Sequence, residues 1–101
     1  MVRTHRTPEL RSIAFHRLVA ERLDDGVIAL ARARVEGWLA HGGPVPSASA
    51  RRWRSLLARR PADLAAALTK DTEEMRELRQ NTPFAGTLSP EERWRIVREI
   101  Q

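Results

Sequence analysis

Residues 78–94 read LRQNTPFAGTLSPEERW and contain the clearest helix boundaries in the chain. Pro83 lacks a backbone N–H and disfavours helical geometry at the residue before it, so one helix is predicted to end a few residues earlier. Ser89 is predicted to cap the next helix, with Pro90 at its first position and Glu92 completing a capping box. The chain is therefore expected to pass between two helices through a loop of about eight residues.

This loop carries two large apolar side chains, Phe84 and Leu88. The connection is longer than helix packing alone requires, so something must hold it in place. The two side chains either fill the protein's own core or contact a partner, and the sequence leaves both roles open. Three other residues are interpreted as shaping the loop: Thr82, Pro83 and Gly86.

Similar signals divide the rest of the chain into helices. The predicted helix starts are Thr7-Pro8, Asp24-Asp25, Ser47 or Ser49, Pro61, a capping box at Asp71–Glu74, and Ser89-Pro90. Gly42-Gly43, followed by Pro44 and Pro46, ends the second helix. No strand-like alternation appears. The sequence therefore predicts an all-α, compact single-domain bundle of five to six short helices over residues 7–101, preceded by a flexible basic tail at residues 1–6.

The spacing of apolar residues predicts which helix faces are buried. The first helix has apolar residues around more than half its circumference, which suggests a central position. The inward residues predicted for the second helix are Val27, Leu30, Ala31, Val35, Trp38 and Leu39, a stripe that only Arg34 interrupts. Gly37 lies inside this helix and suggests the close approach of another element. Those predicted for the last helix are Trp94, Val97 and Ile100.

Composition limits the classes of function. The chain has 101 residues and no cysteine, which excludes disulfides and thiolate metal sites and favours a reducing compartment. No apolar run approaches the length of a membrane span, so a cytoplasmic protein without membrane contact is expected. The net charge is +5, with a basic part at residues 1–60 and a mildly acidic part at residues 61–101. This asymmetry suits polar contacts with a partner or between copies, so a homo-oligomer is also open.

Catalytic patterns are absent from the sequence. The histidines, His5, His16 and His41, have no second ligand at metal-binding spacing, and a structural role is the favoured interpretation of each. The serines lie outside any nucleophile-elbow pattern, and Gly42-Gly43 is not a phosphate loop. We therefore expect no enzyme activity, no metal, no cofactor and no small-molecule substrate.

An arginine-rich helix is the candidate element for nucleic-acid binding. Residues 51–60 contain five arginines and no acidic residue: Arg51, Arg52, Arg54, Arg59 and Arg60. Such a run could contact several phosphates. However, no Asn or Gln accompanies these arginines to read base edges, and a solvated helix face is the simpler interpretation.

The tryptophans also have two interpretations. Trp38, Trp53 and Trp94 each fall on the apolar stripe of a different helix, which favours core packing. Tryptophan is also enriched at the energetic centres of protein interfaces, so a role in partner binding stays open.

The run 80–90, QNTPFAGTLSP, and the following ERWRI at 92–96 resemble a group of small helical proteins from actinobacteria and proteobacteria. Phe15-His16-Arg17 and Arg51-Arg52-Trp53 extend the resemblance over most of the chain. These proteins are similar to antitoxin components of toxin–antitoxin operons.

The resemblance implies that the chain binds and neutralises a protein toxin, with nucleotidyltransferase-like enzymes among the candidate toxins. Five residues are predicted to contact that partner: Pro83, Phe84, Leu88, Arg93 and Trp94. The alternative function is a DNA-binding transcriptional regulator or autoregulator that uses the arginine-rich helix.

Overall fold

The computed structural model describes residues 6–101, which form six α-helices and no strand. The helices are α1 (Arg6–Glu21), α2 (Asp25–His41), α3 (Ser47–Leu57), α4 (Pro61–Leu68), α5 (Glu73–Gln80) and α6 (Pro90–Glu99). The predicted all-α bundle is confirmed. The predicted basic tail lies outside the described residues except for Arg6, which begins α1.

Helix α1 lies at the centre of the packing arrangement, as the breadth of its apolar surface predicts. It packs against α4, α5 and α6, whereas α3 packs against both α2 and α4. The described chain measures 42 × 25 × 24 Å along its principal axes. Helix α2 is therefore held mainly by α3, and α6 mainly by α1.

The core is built around Trp53 on α3. Its indole is fully buried, and its ring meets Phe84 edge-to-face with centroids 6.0 Å apart and an interplanar angle of 77°. The indole Nε1–H donates to the Leu78 carbonyl oxygen at 3.2 Å, so the one polar atom of the ring is satisfied. Aliphatic side chains from α1 to α5 surround this pair.

Most predicted helix ends are confirmed. Asp24 caps α2 by accepting from the Val27 N–H, and Gly42 ends it with φ 75°, in the left-handed region where glycine is favoured. The capping box between Ser89 and Glu92 is present in α6.

Two predicted helix caps differ from those in the structure. Helix α3 begins directly after Pro46 and has no side-chain cap. Thr72 caps α5 through the Met75 N–H, so the predicted capping box at residues 71–74 does not form. Its Glu74 instead pairs with Arg52 of α3.

The buried faces of α2 and α6 are rotated from their predicted positions. In α2 the buried residues are Ile28, Ala31 and Val35, whereas Leu30 is 69% exposed. In α6 the buried residue is Ile96, whereas Trp94 is 63% exposed. Both helices carry apolar side chains on two adjacent faces, and the packing of the neighbouring helix determines which face is buried.

The close approach predicted at Gly37 is wrong. A Cβ atom built on this glycine would meet no other atom within 4 Å, and Gly37 is not among the glycines with positive φ. Glycine in a helix interior costs conformational entropy that alanine does not.

Replacing Gly37 with Ala is therefore expected to raise the free energy of unfolding by about 0.5–1 kcal/mol. Urea denaturation followed by circular dichroism measures the change. The matched control is Gly42→Ala, which places a side chain at φ 75° and should destabilise the protein. A destabilised Gly37→Ala variant would contradict the open space seen around this residue.

Candidate functional site

The loop 81–89 is fixed to the core by its apolar side chains. Phe84 is 1% exposed, and Leu88 and Pro83 are also buried. Their burial favours the core over direct contact with a partner, since the folded surface does not present these three side chains. They fill the core, which is the other role that the sequence left open for Phe84 and Leu88.

Polar contacts complete the attachment of this loop. Arg34 Nη1 donates to the Pro83 carbonyl oxygen at 3.1 Å, which explains why an arginine interrupts the apolar stripe of α2. A Cβ atom on Gly86 would lie 3.1 Å from Arg34 Nη2, so a residue without a side chain suits this position. The loop is thus a rigid support for the start of α6.

Helix α6 is attached to α1 mainly by polar contacts at its two ends. Near its start, Arg22 forms a bidentate ion pair with Glu92. The Arg22 guanidinium and the Ser89 N–H hold the pKa of the Glu92 carboxyl down to about 2. Near its end, Arg11 donates to the carbonyl oxygens of Ile100, at 2.8 Å, and Val97, at 3.4 Å. Helix α6 therefore stays in place while burying little apolar surface.

The outer surface of α6 carries the most exposed aromatic side chain of the described residues. Trp94 lies between Glu91 and Arg98, and the three side chains line one shallow depression. Neither Glu91 nor Arg98 has an ion-pair partner within residues 6–101. We call these three residues the Trp94 face.

A cleft of about 320 Å³ lies on the other side of α6, between α1 and the loop 81–89. We call it the α1–α6 cleft. Much of its surface is apolar, and the apolar residues that line it are Pro8, Phe15, Ala85, Ile96 and Val97. No pattern in the sequence indicated this cleft.

The polar part of the cleft contains a buried hydrogen-bond chain through His16. The carbonyl oxygen of Ser12 can only accept, so the His16 Nδ1–H donates to it at 2.8 Å. The neutral ring then accepts at Nε2 from the Thr82 hydroxyl at 2.9 Å, and Thr82 Oγ1 accepts from the Phe84 N–H at 3.1 Å. The chain joins α1 to the loop and fixes the tautomer of His16.

Burial lowers the pKa of His16 to about 4. The hydrogen bond to Ser12 opposes this change, and the positive charge of Arg79 adds to it. The imidazole is therefore neutral at physiological pH. It serves as a structural connector, as favoured by the sequence, with its ring at the wall of the cleft.

Arg79 is the least expected residue in the cleft, because it is a charged side chain only 3% exposed. Its Nη1 donates to the carbonyl oxygens of Leu68, at 3.2 Å, and Lys70, at 2.8 Å. Its Nη2 is the one buried side-chain polar atom in residues 6–101 that has no hydrogen-bond partner. Burial lowers the pKa of the guanidinium, while the more distant Asp71 and Glu9 oppose that change.

The predicted arginine-rich helix is shorter than expected, because α3 ends at Leu57 and Arg59 and Arg60 lie in the connection to α4. Most of the five arginines pair with acidic residues of the same chain. Arg52 pairs with Glu74, Arg54 with Glu36 and Arg60 with Asp63. Of the five arginines predicted to contact nucleic acid, Arg51 and Arg59 have no ion pair with a described residue. The predicted basic surface is therefore less basic than its sequence suggests.

No group of three or more His and carboxylate side chains in the described part of the chain is placed to hold a metal ion. None of the helices formed by residues 6–101 is both long and apolar enough to cross a membrane.

Comparison with known proteins identifies no relative. No protein-family model, no curated protein and no solved structure matches this chain.

Sequence reasoning singled out Arg93 and Trp94 and missed the cleft beside them. The missed signal for Arg79 is its position four residues after Met75 and directly after Leu78, on the apolar side of α5. His16 similarly lies three residues before Val19, the other buried residue of α1. A polar residue within an apolar stripe indicates a partner elsewhere in the chain.

Proposed function

We propose that this protein is an interaction module that binds a partner protein through the Trp94 face. The observation that carries the proposal is the exposure of the Trp94 indole on a firmly supported helix. Monomeric proteins bury most of the surface of a tryptophan, and an exposed one loses the free energy of that burial. Because tryptophan is enriched at the centres of protein interfaces, contact with a partner protein is the role that best explains this exposed side chain.

The surroundings of Trp94 have the composition of an interface rather than of a pocket. Charged Glu91 and Arg98 flank the indole, so an apolar centre is bordered by a polar rim. Neither charge is used in an internal ion pair, so both are available to groups on a partner. Arg93 is also exposed on the same helix. A partner that fits has an apolar pocket for the indole and charges of both signs around it.

The support beneath α6 favours binding without rearrangement. Arg11 of α1 and Arg22, which directly follows α1, hold the two ends of α6, and the buried loop fixes its start. The Trp94 backbone is therefore positioned before a partner arrives, which lowers the entropic cost of association. The net charge of +5 would speed the approach of an acidic partner.

We propose further that the partner is a protein toxin and that the chain neutralises it. This step is supported by the resemblance of residues 80–96 to antitoxin-like proteins. Neutralisation would be steric, with α6 covering the mouth of the toxin's active site. Nucleotidyltransferase-like enzymes are the first toxins to test, because the resemblance points to them.

The test is a binding measurement with the product of the adjacent reading frame. The two proteins are co-expressed and purified, and their affinity is measured by titration calorimetry. Trp94→Ala is expected to raise Kd by about 30-fold, which corresponds to about 2 kcal/mol, because it removes the central apolar contact. Its thermal stability should stay close to that of the parent, because the indole is already exposed.

Leu30→Ala is the matched control for this experiment. It also removes an exposed apolar side chain, but from α2, away from the Trp94 face. It should leave Kd within about twofold, since scattered surface residues contribute little to an interface they do not enter. The proposal fails if the two gene products do not associate, or if folded Trp94→Ala binds as tightly as the parent.

DNA binding by residues 51–60 is less well supported, because three of the five arginines already pair with carboxylates. A gel-shift assay with the upstream DNA over a salt series separates it from partner binding. Retardation that falls steeply with salt and disappears in an Arg51→Gln/Arg59→Gln variant would support it. No retardation at low salt would remove it.

A further inference from the structure

We infer that the α1–α6 cleft is a binding site for a small carboxylate with an apolar body, such as an aromatic acid. The inference is independent of the Trp94 face, which lies on the outer side of α6. It rests on the open cleft itself, on the buried and incompletely bonded guanidinium of Arg79, and on the occurrence of both apolar and cationic residues in the cleft lining.

The charge of Arg79 has no carboxylate partner among the described residues. A guanidinium keeps its proton in proteins, so a buried arginine normally pairs with a carboxylate. Within residues 6–101, no carboxylate lies within 4.0 Å of Arg79. The two nearest acids that influence it, Glu9 and Asp71, form their ion pairs with Arg76 instead. Carbonyl oxygens satisfy one nitrogen but leave the net charge uncompensated.

Two further arginines line the cleft. Arg11 and Arg93 line it together with Arg79, whereas none of the residues that line it is acidic. Arg11 is occupied by carbonyl oxygens at the end of α6, and Arg93 has no ion pair with a described residue. Three guanidinium groups around one cavity favour an anion, and a bound carboxylate would supply the missing counter-charge.

The volume and the apolar lining of the cleft suit a small organic ligand. The volume of about 320 Å³ is at the lower end of the range for small-molecule sites. Phe15, Ile96 and Val97 provide apolar surface in the same cleft, and the Phe15 ring meets the His16 ring edge-to-face with centroids 5.1 Å apart. An inorganic anion would leave this surface wet, whereas a carboxylate on an aromatic ring would cover it. The Thr82 and Ser12 residues add polar groups beside the charge.

The experiment uses phenylacetate as the probe and phenylacetamide as its neutral match, with amide chemical shifts of the full chain as the readout. Phenylacetate is expected to give saturable shifts clustered at the cleft, and phenylacetamide should bind at least about tenfold more weakly. Acetate and inorganic phosphate test whether an apolar body is needed. Thermal unfolding should move to higher temperature with phenylacetate, because the ligand binds the folded state.

Two variants locate the site. Ala85→Phe fills the cleft from an exposed loop position and should abolish saturable shifts. Arg93→Gln removes an unpaired rim charge and should weaken phenylacetate binding by about threefold to tenfold. Arg79 itself holds two carbonyl oxygens at the end of α4, so its replacement would weaken the fold and is not used as the test.

The inference is overturned by any of three results. Equal binding of phenylacetate and phenylacetamide would show that charge is not recognised. Equal binding of acetate or phosphate would show an adventitious ion only. Binding that survives Ala85→Phe in a folded protein would place the ligand elsewhere.

Discussion

Replacing Phe84 with Ala is expected to lower the free energy of unfolding by about 3–5 kcal/mol, because it leaves a cavity beside Trp53 in the centre of the core. The aromatic contact between the two rings is lost as well. Equilibrium urea denaturation followed by circular dichroism gives the change directly. In a protein of this size, such a loss would be a large part of the total stability.

Trp94→Ala is the matched control for this prediction. It removes a larger aromatic side chain from the same region of sequence, but one that is exposed, and it should change the free energy of unfolding by no more than about 0.5 kcal/mol. Comparing the two variants distinguishes core packing from partner contact for each aromatic side chain, which the sequence alone could not do. If Phe84→Ala unfolds at the urea concentration of the parent, the loop is not part of the core.

Acidification between pH 6.5 and pH 4 is expected to remove about 3 kcal/mol of stability through His16 alone, at about 1.4 kcal/mol per pH unit. The pKa of His16 is lowered from 6.5 to about 4 by burial, so the unfolded chain binds the proton more readily in this window. Stability is therefore highest above pH 6.5 and falls as the pH is lowered. Below pH 4 both states carry the proton, and the contribution of His16 stops changing.

His16→Gln should flatten this dependence, and His41→Gln is the matched control because its imidazole is exposed at the end of α2. Free energies of unfolding are measured in urea at half-unit intervals from pH 5.5 to pH 7. This range stays above the ordinary pKa of Glu92, 4.5, whose lowered pKa in the folded protein removes stability at more acidic pH. An unchanged slope in His16→Gln would show that another group causes the dependence.

The helix boundaries could be predicted because they depend on local chemistry. Pro83, Ser89 and Gly42 act through their own backbone and through residues one turn away, and the structure bears out each of these assignments. Such effects are present in the sequence of a short segment. They do not require knowledge of which segment packs nearby.

The buried faces could not be predicted to the same accuracy. In α6, the apolar residues allow either Trp94 or Ile96 to face inward, and the choice depends on the surface that α1 presents. The face of α2 has the same ambiguity at Leu30 and Ile28. Periodicity gives the approximate stripe, but a shift by one or two residues changes which side chain a partner can reach.

The α1–α6 cleft could not be predicted because its groups come from distant parts of the chain. His16 reaches its partner Thr82 across 66 residues, and Arg11 reaches Ile100 across 89. Each residue appears ordinary in its own segment. Only the folded arrangement of α1, α5 and α6 brings these residues to one cleft.

The position of the apolar anchors before α6 has a consequence for truncation. Among the ten residues of α6 only Ile96 is buried, whereas Leu88 and Phe84 anchor the chain just before the helix begins. Deletion of residues 90–101 would therefore leave the packing around Trp53 intact while exposing His16 and Arg79 to water. The core and the two proposed binding surfaces thus depend on different parts of the chain.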